Sequence, residues 1–261
     1  MVFGRRRGRT IYPPSPCTTH QFLKWIMAGF AAYDKTKIIV VGDSGVGKTS
    51  LVHLISHNEP NTNPGYTIGC SVEVKLHDYK AGTPSEKTFF TELWDIGGSS
   101  SHQNSRSIFY NNVNGIILVH DLTNRKSHQN LNKWLGEVLN RNDTKDFNSG
   151  YDYDPEQFAG NQLPILVVGT KTDLAHILRE KVISRSSTIA EECGADEMNL
   201  DCKDCKCLSP GTTNAVKLSR FFDKVIERRY YSHQIGQNQY GNVTKRAPYT
   251  YREKTPHEDS P

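Results

Sequence analysis

The chain has 261 residues, a formal net charge of +4 and an apolar content of 36%, which is enough for the core of one large domain or two small ones. Its positive charge is concentrated in residues 1–33, which contain several arginines and no acidic residue, so the rest of the chain is close to neutral. We therefore expect no nucleic-acid-binding surface.

Residues 1–33 precede the first predicted strand. Their apolar stretch over 22–32 is shorter than the roughly 20 residues that a membrane span needs, and Lys24 interrupts it. An organellar transit peptide is one reading, and an unstructured extension or an upstream start before Met27 is the other. Because the arginines are clustered rather than spaced along a helix face, we expect a disordered N-terminal extension.

The first predicted elements are a strand, a glycine-rich loop and a helix. A β-branched run over 37–41 is typical of a buried parallel strand, and 50–56 continues as an amphipathic turn. Residues 42–49 between them fit the pattern G-x-x-x-x-G-K-[ST], whose backbone N–H groups surround a phosphate. We expect Lys48 to reach the β- and γ-phosphates and Thr49 to offer its hydroxyl to Mg²⁺. The pattern predicts a nucleoside triphosphate site.

A pair of strands follows this site. Residues 72–77 and 88–94 are separated by a Gly/Pro turn over 78–84, and they are predicted to form an antiparallel hairpin at the sheet edge. Directly after the second strand, Asp95 stands where a carboxylate can hold Mg²⁺ through a water molecule. Nearby, the N–H of Gly98 is expected to meet a γ-phosphate.

Strands and helices then alternate. Near-continuous apolar runs over 115–121 and 163–170 predict central strands, and helical apolar spacing over 131–139 predicts a helix between them. The later predicted elements are a helix that ends over 188–192 and is stopped by Gly194, a strand over 198–200, and a last helix opened by Thr212 and Thr213. The buried side of that last helix is predicted to carry Val216, Phe221, Phe222, Val225, Ile226 and Tyr230. This order predicts an α/β P-loop fold with a mostly parallel six-stranded sheet and helices on both faces.

The domain is predicted to span residues 34–231. A polar, Asp- and Tyr-rich insertion at about 141–162 exceeds ordinary connections and is either a functional loop or disordered. Residues 232–261 are polar and contain prolines, so we expect a disordered C-terminal tail. Three clustered cysteines, Cys202, Cys205 and Cys207, have no second pair of ligands in view, which favours free thiols over a zinc site.

The end of the fifth predicted strand indicates which base is bound. Thr170, Lys171, Thr172 and Asp173 have the form [NT]-K-x-D. The Asp173 carboxylate can accept hydrogen bonds from two donors on one purine edge, which adenine does not present, and a wrong base would leave that acid unpaired. The motif predicts guanine and argues against an ATP-dependent kinase or ATPase.

Together these motifs resemble those of the Ras superfamily of small GTPases, with a phosphate loop similar to the Rab version. The resemblance covers roughly residues 35–231, apart from the insertion. It implies GTP or GDP with Mg²⁺ as cofactors, and it places Thr49 and Thr67 beside Mg²⁺ with Asp95 bound to the ion through water. The residues that it implies around the phosphates are Gly45, Val46, Gly47, Lys48, Thr49 and Ser50.

The resemblance also implies how the base is held. Lys171 is expected to lie along the guanine plane and Asp173 to bind its N1 and exocyclic amine. The loop 199–203, which contains Asp201, stands in place of the family's last motif, so the Cys202 N–H is expected to donate to the guanine O6. Pro60 stands where relatives often have an aromatic side chain over the base. Either another side chain covers it, or the nucleotide is held less tightly.

One departure from the family concerns catalysis. Family members orient the attacking water with a Gln after Asp-x-x-Gly, and here Ser99 takes that place. We expect Lys48 and Thr67 to stabilise charge and intrinsic GTP hydrolysis to be slow. The alternative is an interaction module that keeps its nucleotide as a structural ligand and hardly hydrolyses it.

The resemblance also implies partners. Effectors and regulators are expected to bind the two switch segments, 58–69 and 98–111. A homodimer is a further alternative. The last cysteine is Cys207 and the sequence has no C-a-a-X box at its end, so we expect no prenyl anchor. We expect a cytoplasmic protein in intracellular signalling or transport that partners recruit to membranes.

Overall fold

The computed structural model describes residues 34–139, 163–177 and 188–231. The predictions for the extension 1–33, the insertion 141–162 and the tail 232–261 lie outside these residues. The described strands are β1 (Lys35–Val41), β2 (Cys70–Tyr79), β3 (Lys87–Ile96), β4 (Gly115–Asp121), β5 (Ile165–Thr170) and β6 (Asp196–Asn199).

Helices alternate with these strands. The described helices are α1 (Lys48–His57), α2 (Gln103–Arg106), α3 (Arg125–Gln129), α4 (Leu131–Leu139), α5 (Thr172–Ile177), α6 (Thr188–Glu192) and α7 (Thr213–Ile226). Short 3₁₀ turns lie at Ser100–His102, Ser107–Tyr110 and Cys205–Leu208, and a π-helical turn spans Glu227–Tyr231. Among these described helices, none has the length and apolar character that crossing a bilayer requires.

The strands form one sheet in the order β2-β3-β1-β4-β5-β6. Strand β2 runs antiparallel to β3 at one edge, and the other neighbouring strands are parallel. The predicted edge hairpin and the predicted mostly parallel sheet are therefore confirmed. The carboxyl ends of the five parallel strands lie on one side of the sheet, where ligands bind in folds of this type.

The core has two layers because successive residues of a strand face opposite sides of the sheet. In β1, Ile38 and Val40 pack in the cluster that includes residues of α1 and α7. Ile39 and Val41 pack in the cluster that includes residues of α4 and α6. All four side chains are fully buried. The prediction of helices on both faces is confirmed.

Two local predictions are wrong. Tyr79 was assigned to the hairpin turn, but it is the last residue of β2 and is buried, with its ring 6.0 Å from that of Phe89. Val216 was assigned to the buried side of α7 but is exposed. It precedes the buried Leu218 by two positions, which is about 200° around a helix, so it faces away from the core.

Candidate functional site

The glycine-rich loop wraps the N-terminus of α1 with its backbone. Gly47 takes a left-handed conformation, with φ of 97°, which turns the chain into the helix and which side chains rarely adopt. The Lys48 Nζ donates to the carbonyl oxygens of Gly42 and Asp43, each at 2.8 Å. Burial lowers the pKa of Lys48 to about 8, although Asp95 and Asp43 act in the opposite direction. The lysine is thus held over the centre of the loop.

Three side-chain oxygens meet beside this loop, although they come from distant parts of the sequence. The Oγ1 atoms of Thr49 and Thr67 donate to Oδ2 of Asp95 at 2.6 Å and 3.0 Å, and they lie 2.9 Å from each other. Burial raises the pKa of Asp95, while hydrogen bonds from Thr49 and Thr67 and the charge of Lys48 oppose the rise.

This group of oxygens fits Mg²⁺, which prefers oxygen ligands. The second carboxylate oxygen of Asp95, Oδ1, is buried and has no hydrogen-bond partner among the described residues. A buried carboxylate oxygen without a partner is costly, and a nearby cation or its bound water would satisfy it. The predicted metal residues are therefore brought together.

A cavity of about 290 Å³ adjoins the oxygens. Gly98 closes one side, so close to the phosphate loop that a Cβ atom there would lie 2.5 Å from the backbone N of Ser44. Only glycine fits this approach. The lining residues are Ser44, Gly45, Gly47, Lys48, Thr49, Ser50, Pro64, Gly65, Tyr66, Thr67 and Gly98. Of the predicted phosphate residues, Val46 does not line this cavity: its side chain is buried, and its carbonyl oxygen accepts a 2.5 Å hydrogen bond from the Thr170 hydroxyl.

The predicted base-binding motif is joined to the phosphate loop by a lysine. The Lys171 Nζ donates to the carbonyl of Gly45 at 2.9 Å and to Oδ2 of Asp121, at the end of β4, at 2.6 Å. Burial acts to raise the pKa of Asp121, but hydrogen bonds from Lys171 and Thr123 outweigh it and hold that pKa below its ordinary value. These two contacts hold the Lys171 ammonium group between the phosphate loop and the end of β4.

The loops after β5 and β6 lie side by side. Oδ2 of Asp173 accepts a 3.1 Å hydrogen bond from Nζ of Lys203, whose own backbone N–H donates to Oδ1 of Asp201 at 2.8 Å. Thr172 begins α5. Cys202 is buried, and burial raises the pKa of its thiol to about 12, which keeps it protonated. The donor that the resemblance implies for the guanine O6 is the Cys202 backbone N–H, which does not depend on the thiol.

Ser99 lies outside the cavity lining. It follows Gly98, and its Oγ lies 2.6 Å from Oγ of Ser101. The hydroxyl is thus engaged with a neighbour in the same turn.

A side-chain network that no sequence motif predicted supports this segment. Arg106 donates to the carbonyl of Ser99 at 2.8 Å and pairs with Glu137, while the Trp134 Nε1 donates to Asp43 of the phosphate loop at 2.8 Å. The guanidinium also lies over the Trp134 ring, 4.4 Å from its centroid. Two signals were available in the sequence. Arg106 is the one arginine in 98–111, and Glu137 stands beside the apolar stripe of a predicted helix.

Comparison with known proteins shows the family of this chain. A family model described as the Ras family matches residues 37–220. The chain belongs to the Ras family. It is 55% identical over 214 residues to Rab-like protein 3 of Mus musculus, covering 79% of this chain and 91% of the mouse protein. It is 54% identical to Rab-like protein 3 of Homo sapiens with the same coverage. Small GTPase LIP1 of Arabidopsis thaliana is 34% identical over 227 residues, covering 77% of this chain and 64% of the plant protein.

The predicted family, fold and cofactors are therefore confirmed. This Ras-family chain binds GTP and GDP with Mg²⁺, hydrolyses GTP, and interacts with effectors and regulators as its family does. The roles assigned to individual residues, from Lys48 to Cys202, stay predictions.

Proposed function

We propose that this chain is a Rab-like guanine-nucleotide switch of intracellular signalling or transport whose intrinsic GTP hydrolysis is slow. The observation that carries the proposal is the state of Ser99, the residue in the place of the family's water-orienting Gln. Its side chain is short, its hydroxyl lies 2.6 Å from that of Ser101, and it does not line the cavity.

The other side chains suit binding and charge stabilisation. Lys48, at the centre of the phosphate loop, would neutralise phosphate charge, and the oxygens of Thr49, Thr67 and Asp95 would hold Mg²⁺, which supplies further charge neutralisation. None of these side chains stands in the place of the family's water-orienting Gln. Loss of that function can lower the rate by orders of magnitude while nucleotide binding remains intact.

The two switch segments are the proposed partner surface. Segment 58–69 exposes Tyr66 and Ile68, the latter at 76% of its full area, and segment 98–111 exposes Ile108. Contiguous exposed apolar surface marks interaction sites, and these side chains would supply the apolar part of such a surface. Because Thr67 and Gly98 both line the cavity, the conformation of each segment would follow the state of the γ-phosphate.

We propose further that the protein acts in the cytoplasm and that partners recruit it to membranes. Cys70, Cys202, Cys205 and Cys207 carry free thiols, which suits a reducing compartment. Separation of cell extracts into cytosolic and membrane fractions, with GDP or a non-hydrolysable GTP analogue, tests this. Recruitment should depend on the analogue, and equal membrane association with both nucleotides would contradict it.

Single-turnover hydrolysis tests the proposed slow rate. The wild-type chain loaded with GTP·Mg²⁺ should turn over at or below about 10⁻⁴ s⁻¹, and Ser99→Gln should increase that rate. Ser101→Gln is the matched control, because it places the same side chain two positions away, and it should leave the rate unchanged. A wild-type rate above about 10⁻² s⁻¹ without a partner would overturn the proposal.

The same observation favours a second candidate, an interaction module that keeps its nucleotide and hardly hydrolyses it. In that case Ser99→Gln would not raise the rate, and the protein would retain intact GTP through a long incubation. A homodimer that supplies a catalytic group in trans would instead raise the rate per molecule with protein concentration. Measuring hydrolysis over a range of concentrations separates these outcomes.

A further inference from the structure

Three potential metal ligands form a compact cluster outside the nucleotide cavity. His53 and His57 lie four residues apart on α1, so their side chains share one face of the helix, and their ring centroids are 4.6 Å apart. Glu73 lies opposite them on β2. One ligand atom from each of the three residues lies within 4.8 Å of the other two.

The distances suit a shared ion. Nδ1 of His53 lies 3.5 Å from Oε1 of Glu73, and Nε2 of His57 lies 3.2 Å from Oε2. Bonds of about 2.0–2.1 Å around a tetrahedral ion separate its ligands by about 3.3–3.4 Å. These two contacts are therefore close to the spacing of a coordinated set, and rotation about the side-chain bonds can adjust the rest.

One oxygen of the Glu73 carboxylate lacks a hydrogen-bond donor among the described residues. Oε2 of Glu73 is buried, and it accepts no hydrogen bond with acceptable geometry from the described residues, although the His57 ring is near. Leaving a buried carboxylate oxygen in this state is costly. Both histidines are partly exposed, so an ion from solvent can reach the cluster.

We propose that His53, His57 and Glu73 bind a divalent late first-row metal ion, best matched by Zn²⁺, with water completing the coordination. Imidazole together with carboxylate suits zinc, and two histidines four residues apart on one helix are a common zinc-binding arrangement. Mg²⁺ prefers oxygen ligands and binds elsewhere, beside Thr49 and Asp95.

The position of this cluster gives the ion a structural consequence. His57 is the last residue of α1, and Glu73 is the fourth residue of β2, so a bound ion bridges the two elements that flank 58–69. That segment carries Thr67 and is the first proposed switch segment. An ion at its base would restrain both of its ends and stabilise the folded state in proportion to its occupancy.

Calorimetric titration with ZnCl₂ tests the proposal on the full chain loaded with GDP and excess Mg²⁺. The wild type should bind one Zn²⁺ with a dissociation constant below about 10 µM. The double variant His53→Gln, His57→Gln should bind it at least tenfold more weakly. Glutamine keeps a polar side chain and a good helix propensity, so α1 is retained. Retained GDP binding in the variant would show that it is folded.

The cysteines are the competing ligands, and a matched variant controls for them. The double variant Cys205→Ser, Cys207→Ser should bind Zn²⁺ as the wild type does. Crystals soaked in ZnCl₂ should give an anomalous peak at the zinc edge between His53, His57 and Glu73. Two titration results would overturn the proposal: a zinc affinity that is unchanged in the histidine variant or lost in the cysteine variant, or a wild-type dissociation constant above about 10 µM. In the crystals, an anomalous peak found only at the thiols or only at Asp95 would overturn it as well.

Discussion

Arg106 and Glu137 form a buried, bidentate ion pair that holds the segment after β3 against α4. The guanidinium Nε and Nη2 donate to Oε1 and Oε2 of Glu137 at 2.8 Å and 2.7 Å, and the side chains are only 4% and 9% exposed. The Tyr110 hydroxyl donates to the same Oε1 at 2.7 Å. Because Arg106 also donates to the carbonyl of Ser99, this pair helps to orient the backbone beside Gly98.

Removing one member of this pair should be costly. Arg106→Leu leaves the Glu137 carboxylate buried without its cation, and we expect the free energy of unfolding to fall by about 3–5 kcal/mol. The double variant Arg106→Leu, Glu137→Leu should recover much of that loss, because no charge remains buried. Denaturant unfolding of the GDP·Mg²⁺ form gives both values. A loss below about 1 kcal/mol in the single variant would show that the pair is dispensable.

Base choice should depend on Asp173. Asp173→Asn removes a charged acceptor, so GTP binding should weaken by about 1.5–3 kcal/mol, and preference should move toward xanthine nucleotides, whose C2 oxygen can accept from an amide. Competition binding with GTP and XTP measures the change. Lys203→Gln is the control, since its solvent-exposed ion pair with Asp173 should contribute little to nucleotide binding. Unchanged GTP affinity in Asp173→Asn would mean that the guanine site lies elsewhere.

The oxygens around Asp95 should make nucleotide binding depend on Mg²⁺. In Thr49→Val the hydroxyl is lost at nearly constant volume, so the additional rise in Tm that Mg²⁺ gives in the presence of GTP should largely disappear. Thr88→Val makes the same change on the edge hairpin, where the hydroxyl bonds Asp78, and it should keep the full Mg²⁺ effect. If Thr49→Val retained that effect, Thr49 would not be a metal ligand.

Buried His120 should make the fold sensitive to mild acid. Burial lowers the pKa of its imidazole from 6.5 to about 4, with the charge of His128 acting in the same direction, and neither ring nitrogen has a hydrogen-bond partner among the described residues. The unfolded chain therefore binds a proton before the folded one does as the pH falls. The contribution of His120 to the free energy of unfolding is present in full above about pH 6.5, and it is lost as the pH falls from there toward about 4.

Replacing this histidine should remove that part of the pH dependence. In His120→Leu, the free energy of unfolding should fall less steeply between pH 6.5 and pH 5 than in the wild type, by up to about 1.4 kcal/mol per pH unit. Urea unfolding at several pH values measures both slopes. Identical slopes in the two proteins would show that His120 titrates alike when folded and unfolded.

The sequence by itself determined the order of the elements and the class of ligand. The phosphate loop and the motif ending in Asp173 are local patterns, in which the spacing of a few residues dictates the backbone shape and the chemistry. The apolar runs of β4 and β5 likewise require burial on both faces, wherever the sheet forms. Such features depend on neighbours in the chain, so they can be predicted without a fold.

Only the tertiary structure decided which distant side chains meet. The pairing of Arg106 with Glu137 and the exposure of Val216 depend on how helices pack on the sheet. The contact of Glu73 with the two histidines of α1 requires the edge strand to lie against that helix. Helix rotation and strand order are set by the packing of the whole core, and no short stretch of sequence contains that information.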